Sequence, residues 1–291
     1  MVVKRRYGLT ILIKETLPSL IILALWDFVV VILFQIYHQT WMEQPALPIS
    51  LMGSALALFL GIRNNAAYAR WWEGRTLWGS ITNNCRSFGR EVASLLNGRP
   101  DLAKAMAAYP YLLKAALSES EIGEEVGTLL SKDMQQRVFS CSNKANALLY
   151  EIGIEVRKEV DKYHIDGAVH GTIDRILSDL ANAQGGLERI QKTPLPIQYS
   201  VLPNIVTHLF CIMLPITAVQ TLGWITPLGS SIIGLLFQML DRSGRDLQEP
   251  FKSTSHALPM LNMSRTIERD LLEPLGLKSH PMIQPRNGVL P

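Results

Sequence analysis

The chain has 291 residues, of which 48% are hydrophobic and 18% charged, against roughly a quarter charged in soluble domains. Its formal net charge of +3 is small, and the basic residues gather beside apolar runs, which argues against nucleic acid as a partner. Cys85, Cys141 and Cys211 lie far apart, so neither a zinc site nor a disulfide framework is indicated, and a reducing cytosol fits.

Met1 to Arg6 is basic like the start of a signal peptide, but the apolar run behind it is too long for one and lacks a small-residue cleavage site. That run, Leu17 to Tyr37, carries Asp27 as its only charge, and a bilayer core needs about 20 such residues as helix. The loop His38 to Pro45 has no lysine or arginine. Ala46 to Ile62 is a shorter apolar run that can borrow length from Asn64 to Ala69 if Arg63 snorkels. Arg63, Arg70 and Arg75 then follow, interleaved with Trp71, Trp72 and Trp78.

The middle segment, Arg63 to Pro196, lacks strand alternation and reads as helices throughout. Asn97-Gly98-Arg99-Pro100-Asp101 is a breaker, with Asp101 a helix cap before Leu102 to Tyr109. Ser118 to Glu121 is another connection. Phe139 to Val160 and Gly171 to Ile190 carry helical stripes, namely Leu149, Ile152, Val156 and Val160, then Ile173, Ile176, Leu177 and Leu180.

Ile197 to Leu240 contains no acidic residue, lysine or arginine, which is enough for two spans divided at Gly223-Trp224-Ile225-Thr226-Pro227. Arg242, Arg245 and Lys252 follow it. With Lys4, Arg5, Arg6 and Lys14 before the first run, every basic cluster falls on one side. The expectation is an all-α membrane protein with four transmembrane helices, near 17–37, 46–62, 199–221 and 225–240. Both termini and a large helical region, 63–196, are expected in the cytosol, with an extended tail over 250–291 that holds Pro274, Pro281, Pro285 and Pro291.

The second span carries two stripes. Gly53, Ala57 and Gly61 are small residues that let helices approach closely in lipid. Ser54, Leu58 and Ile62 form the adjacent stripe, which in several copies around an axis makes a narrow, mostly apolar ring able to gate ions by dewetting; packing or lipid contact is the other reading. Asp27 costs about 2.5–3.5 kcal/mol in mid-span and must face protein or water. It is either part of an ion or proton path or a carboxylate hydrogen-bonded to a neighbouring helix, with His208 one partner to consider. Arg70-Trp71-Trp72-Glu73 suits a membrane interface better than nucleic acid. Glu121, Glu124 and Glu125 lack a calcium-loop pattern, and His164 and His170 lack zinc-helix spacing. No nucleophile elbow or phosphate-binding glycine loop occurs, so an enzyme, a cofactor or a metal is not expected.

Four segments in order resemble the bestrophin family in its bacterial branch. They are Gly61 to Asn65 with Tyr68, Arg70 to Glu73, Arg75, Trp78 and Gly79; Gly185 to Ile190 with Thr193 to Pro196 and Tyr199; Leu214-Pro215 with Gly223-Trp224 and Thr226-Pro227; and Glu249 to Phe251 with Leu258-Pro259 and Arg265 to Glu268. The resemblance spans residues from about 10 to 275 and implies one bestrophin-like unit over 1–291. It further implies a homopentameric ion channel of the bacterial inner membrane, passing monovalent ions, with chloride and small anions the family default. Its partners would be lipid, its own copies and the permeant ions. The family's neck positions fall on Ser54, Leu58 and Ile62, where Ser54 departs from the usual bulky apolar residue. A cytosolic aperture falls near Ala168. Animal members carry an acidic calcium clasp after the Pro-Phe-Gly segment; here Lys252-Ser253-Thr254-Ser255-His256 follows Phe251, and no calcium gating is expected there. A cation-selective channel of this fold, a proton-coupled transporter using Asp27 and a non-conducting membrane scaffold are the alternatives.

Overall fold

The computed structural model describes residues 5–96, 98–252, 254 and 256–285, with side chains from Thr16 onward. Lys4, Asn97, Ser253, Ser255 and Pro291, and the side chains of Arg5, Arg6 and Lys14, lie outside the described residues. No strand occurs among the described residues. The helices in chain order are α1 (Arg5–Gln35), α2 (Ala46–Leu95), α3 (Pro100–Leu117), α4 (Glu124–Leu129), α5 (Lys132–Phe139), α6 (Lys144–Tyr163), α7 (Gly167–Lys192), α8 (Ile197–Ser200), α9 (Leu202–Leu222), α10 (Thr226–Gln248) and α11 (Met260–Leu272). Contacts divide the chain into two compact units.

The span unit holds, of the described residues, those up to Trp71 and Pro194–Glu249. Among the described residues, three helical stretches are long and apolar enough to cross a membrane: Thr16–Gln35, Ala46–Leu95 and Ile197–Gln248. This is a membrane protein. The last stretch is divided into α9 and α10 by a 3-10 turn at Gly223–Ile225. Gly223 sits at φ +49°, where a side chain is strained, so a glycine there lets the chain reverse at full helical apolarity on both sides. α1 packs on α10 and α9, and α9 on α10. Val30, Val31, Met42 and Val219 form one buried cluster, and Ile49, Leu56, Leu60 and Phe210 another, which ties α2 to α9. Long apolar side chains elsewhere on these helices point outward, as Ile22, Leu25 and Ile205 do, in keeping with a hydrocarbon surround.

The second unit holds, of the described residues, those in Trp72–Thr193 and from Pro250 onward. α3 is its centre: thirteen of its eighteen residues are buried, against α11, α6, α4 and α7. The stripes of α6 and α7 face inward, with Leu149, Ile152, Val156, Val160, Ile173, Ile176 and Leu180 all buried. α2 packs here through close approaches; a Cβ on Gly89 would come within 2.5 Å of Leu271, and one on Gly186 within 2.8 Å of Leu77.

Several boundaries differ from the sequence expectation. α3 starts at Pro100, which needs no N–H at that position, and runs through Pro110 to Leu117. Asp101 is therefore inside the first turn, not the cap, and its carboxylate accepts from Arg99 Nε at 2.8 Å. That contact first, and the charge of Arg99 with it, holds the Asp101 carboxyl below its ordinary range. The run from Phe139 is broken at Ser140–Asn143, and α6 starts at Lys144, capped by Asn143 Oδ1 accepting from Asn146 N at 3.1 Å. The tail is not extended from residue 250: Met260–Leu272 is helical, because Ile267, Leu271 and Leu272 have α3 and α2 to bury against. Irregular chain begins beyond the 3-10 turn Glu273–Leu275.

Candidate functional site

α2 within the span unit is two-faced. Ile49, Gly53, Leu56, Leu60, Arg63 and Ala67 are buried, at alternating spacings of four and three residues that keep one face inward. Gly53 belongs to that face for a steric reason, since a Cβ there would sit 3.0 Å from the Phe210 ring. Ala57 and Gly61, grouped with it as packing residues in the sequence, are exposed instead, and a Cβ on Gly61 would meet nothing within 4 Å. The small-residue stripe thus splits: one member packs inside the chain and two are presented outward.

Ser54, Leu58 and Ile62 lie together on the outward face. Leu58 is 68% exposed and Ile62 48%, so among the described residues both keep a large uncovered surface. The Ser54 hydroxyl donates back to the Ser50 carbonyl at 3.0 Å, which spends its proton on the helix and leaves oxygen lone pairs outward. Nothing charged stands on this stripe, so it can exclude by size and dryness but sets no sign for an ion.

Where the stripe ends, Arg63 turns inward. It does not snorkel; it is fully buried. Its Nη1 pairs with Asp241 Oδ1 at 2.5 Å, and its Nη2 donates to the Leu240 carbonyl at 3.3 Å and to the Asp241 carbonyl. Asp241 Oδ2 accepts from Asn204 Nδ2 at 3.1 Å and from Arg245. Asn64 Nδ2 adds a bond to the Leu240 carbonyl at 3.0 Å. The buried charges are thus paired and hydrogen-bonded on several sides, the condition under which a buried pair is tolerated. It links the middle of α2 to α10 and to the first turn of α9. A signal existed: Arg63 and Asp241 are each the first charge beyond an apolar run.

Asp27 is also buried, with Ser230 Oγ and Ser231 Oγ both donating to its Oδ2 at 2.6 Å. His208 is not its partner; the His208 Nδ1 lies 2.7 Å from the Asn204 carbonyl, one turn back on α9. The carboxylate therefore meets the neighbouring-helix alternative, joining α1 to α10.

The Arg70-Trp71-Trp72-Glu73 group straddles the division between units. In the span unit, Arg70 Nε donates to the Gln248 carbonyl at 2.8 Å, and Trp71 stacks on Tyr68 with centroids 6.3 Å apart. In the second unit, Glu73 pairs with Arg189 at 2.5 Å, joining two of the sequence's resembling segments, and Trp72 is exposed. Ala168 is exposed in the first turn of α7, where its N–H is capped by Asp166 at 2.8 Å. Among the described residues, no group of three or more His, Cys, Asp or Glu side chains is placed to hold a metal.

Residues 10–273 match the family described as Bacterial/Fungal Bestrophin protein. The chain is 31% identical over 266 residues to the voltage-dependent anion channel-forming protein YneE of Salmonella typhi, covering 90% of this chain and 87% of that one. It is 32% identical over 273 residues to the voltage-dependent anion channel-forming protein RSc3414 of Ralstonia nicotianae, covering 89% of each. Among solved structures, it is similar to a bacterial bestrophin homologue from Klebsiella pneumoniae, with TM-score 0.85 and 30% identity over 90% of this chain and 98% of that one. The order of the shared motifs, the helical architecture and these likenesses agree: the chain belongs to the bacterial/fungal bestrophin family.

Proposed function

We propose that this protein is a subunit of a homopentameric anion channel in the bacterial inner membrane, conducting chloride and other small monovalent anions. Each chain, one working unit over 1–291, crosses four times by α1, the first part of α2, α9 and α10, with both termini in the cytosol. Ser54, Leu58 and Ile62 form the neck, and Ala168 stands at a wider cytosolic aperture. The observation that carries this reading is the uncovered stripe on α2. A helix whose other face is packed and pinned by a buried ion pair presents Leu58 and Ile62 to something outside its own chain. Relatives named as anion channel-forming proteins support a pore as that something.

Ser54 makes the outer ring of the neck smaller in side chain and wetter than Leu58 and Ile62 below it, so the barrier is concentrated at two rings. The serine bonds to Asp27 favour a structural carboxylate over a transport site. The test is purified protein in planar bilayers under asymmetric potassium chloride. Unitary currents reversing near the chloride equilibrium potential are expected. Reversal near the potassium potential would assign a cation channel, and silent bilayers with proton-linked flux lost in Asp27→Asn would assign a transporter.

A further inference from the structure

In the second unit, Gly276 takes φ +67° after the 3-10 turn Glu273–Leu275, and the chain continues as an irregular strap, 277–285, that reaches α11 and α4. None of the strap's residues is buried. Among the described residues, the hydrogen bonds and ion pairs that hold 278–285 all come from His280. Its backbone N–H donates to Glu268 Oε1 at 2.8 Å. Its ring Nδ1 lies 2.7 Å from the same oxygen, and its Nε2 3.3 Å from Thr128 Oγ1.

Counting hydrogens fixes the state of this contact. The Thr128 hydroxyl has one hydrogen and donates it to the Glu125 carbonyl at 2.8 Å, an atom that can only accept. Toward His280 it offers a lone pair, so Nε2 must bring the hydrogen there. A neutral ring that does so has a bare Nδ1. Ionised Glu268 is equally bare at Oε1, and its Oε2 already accepts from the Tyr111 hydroxyl at 2.5 Å. Two lone pairs 2.7 Å apart repel, so one further proton lies between Nδ1 and Oε1. It belongs to the pair, whether written on the ring or on the carboxyl.

The surroundings keep that proton in place. α3 presents Tyr111, α4 presents Glu125, and α11 presents Arg265, whose Nη2 is taken by Glu125 at 2.7 Å. Lys278, exposed, is the other charge on the strap. Burial chiefly raises the Glu268 carboxyl above its ordinary range, against the Tyr111 bond and Arg265 and with Glu125. With the strap away, His280 returns to water and gives up its proton near the ordinary value of about 6.5. Docking therefore has full strength below about 6.5 and is lost as pH rises through the higher docked value.

We propose that the strap 277–285 is a proton-operated latch, clipped over Glu268 by His280 through one shared proton and lifting as pH rises above neutrality. The latch needs the second unit to be folded but not the protein to conduct, so currents and latching can fail separately. The test is hydrogen–deuterium exchange of the purified intact protein, read by mass spectrometry from about pH 6 to 9 and corrected for the intrinsic exchange rate. Protection of 277–285 should fall by up to about ten-fold per pH unit above neutrality, the slope of one proton, while that of α3 holds. His280→Gln keeps a donor but cannot titrate, and should make the strap's protection independent of pH. Thr128→Val is the sharper variant. It removes the acceptor that claims the Nε2 hydrogen, so a neutral ring can carry its hydrogen on Nδ1 and hold ionised Glu268 without the extra proton. The strap should then stay protected at the alkaline end, whereas a merely structural role for Thr128 would leave the slope in place. Wild-type protection that is constant over the range, or a wild-type slope in either variant, overturns the proposal.

Discussion

The buried pair Arg63–Asp241 makes an asymmetric prediction. Arg63 has no exposed surface, and the Asp241 side chain is 2% exposed, so neither charge can return to water when its partner is lost. Asp241→Leu leaves a guanidinium held only by the Leu240 carbonyl, a backbone carbonyl at position 241 and Asn64 Oδ1. Stranding a buried charge costs about 3–5 kcal/mol. Arg63→Leu leaves Asp241 with Arg245 and Asn204, and leaves the Leu240 carbonyl with Asn64, so the loss is confined to one charged bond set, about 2–3 kcal/mol. The double leucine variant removes both charges and fills the volume, and should lie within about 1–2 kcal/mol of wild type. The assay is thermal unfolding of the purified protein in detergent, followed by tryptophan fluorescence. At about 2–4 °C per kcal/mol, Asp241→Leu should lower the midpoint by on the order of 10 °C, Arg63→Leu by less, and the pair together by less than either. Additive losses, or an Asp241→Leu change under about 3 °C, would refute the claim that this contact fastens α2 to α10.

The remaining predictions concern the neck, a close approach, a titrating acid and calcium. Leu58→Ala or Ile62→Ala should raise unitary conductance and Ser54→Leu lower it; unchanged currents in all three would remove these residues from the neck. Gly244→Ala places a Cβ against Asn64 Oδ1 and within 2.5 Å of Arg63 Nη2, so it should destabilise by about 1–3 kcal/mol, and wild-type melting would contradict this. Glu268 is buried, and burial chiefly raises its pKa above the ordinary 4.5, opposed by the Tyr111 hydroxyl at 2.5 Å and by Arg265, and assisted by Glu125; His280 Nδ1 also lies 2.7 Å away. The folded chain therefore binds the proton more tightly than the unfolded one. The contribution of Glu268 is full below about 4.5 and is lost as pH rises through its raised folded value. Wild type should accordingly lose ground to Glu268→Gln as pH rises over that window, and a difference constant with pH would sink the assignment. Millimolar calcium should leave channel opening unchanged, since no carboxylate follows Phe251 in the next five residues; a calcium-evoked opening abolished by Glu249→Gln or Asp246→Asn would disprove it.

Much of this protein is legible in its residues because the bilayer imposes a one-dimensional rule. Apolar length and the absence of charge mark the helices able to cross a bilayer, and Gly223 to Pro227 marks the break between α9 and α10, without any knowledge of partners. The inward stripes of α6 and α7 were equally plain, since helical periodicity is local. The four motif segments identified the family for the same reason. Tertiary structure decided what depends on residues far apart. Arg63 looks like an interfacial arginine until Asp241, 178 positions away, is brought beside it. Asp27 had a candidate in His208, yet Ser230 and Ser231 reach it because α1 packs on α10 at that level. Gly53, Ala57 and Gly61 share a spacing, but only the ring of Phe210 separates the packed glycine from the two presented outward. Residues 260–272 became a helix because α3 offered an apolar face to cover. Local pattern fixes which residues can be helical and apolar; which of those faces is covered, and which buried charge meets its counterpart, is settled only when distant helices come together.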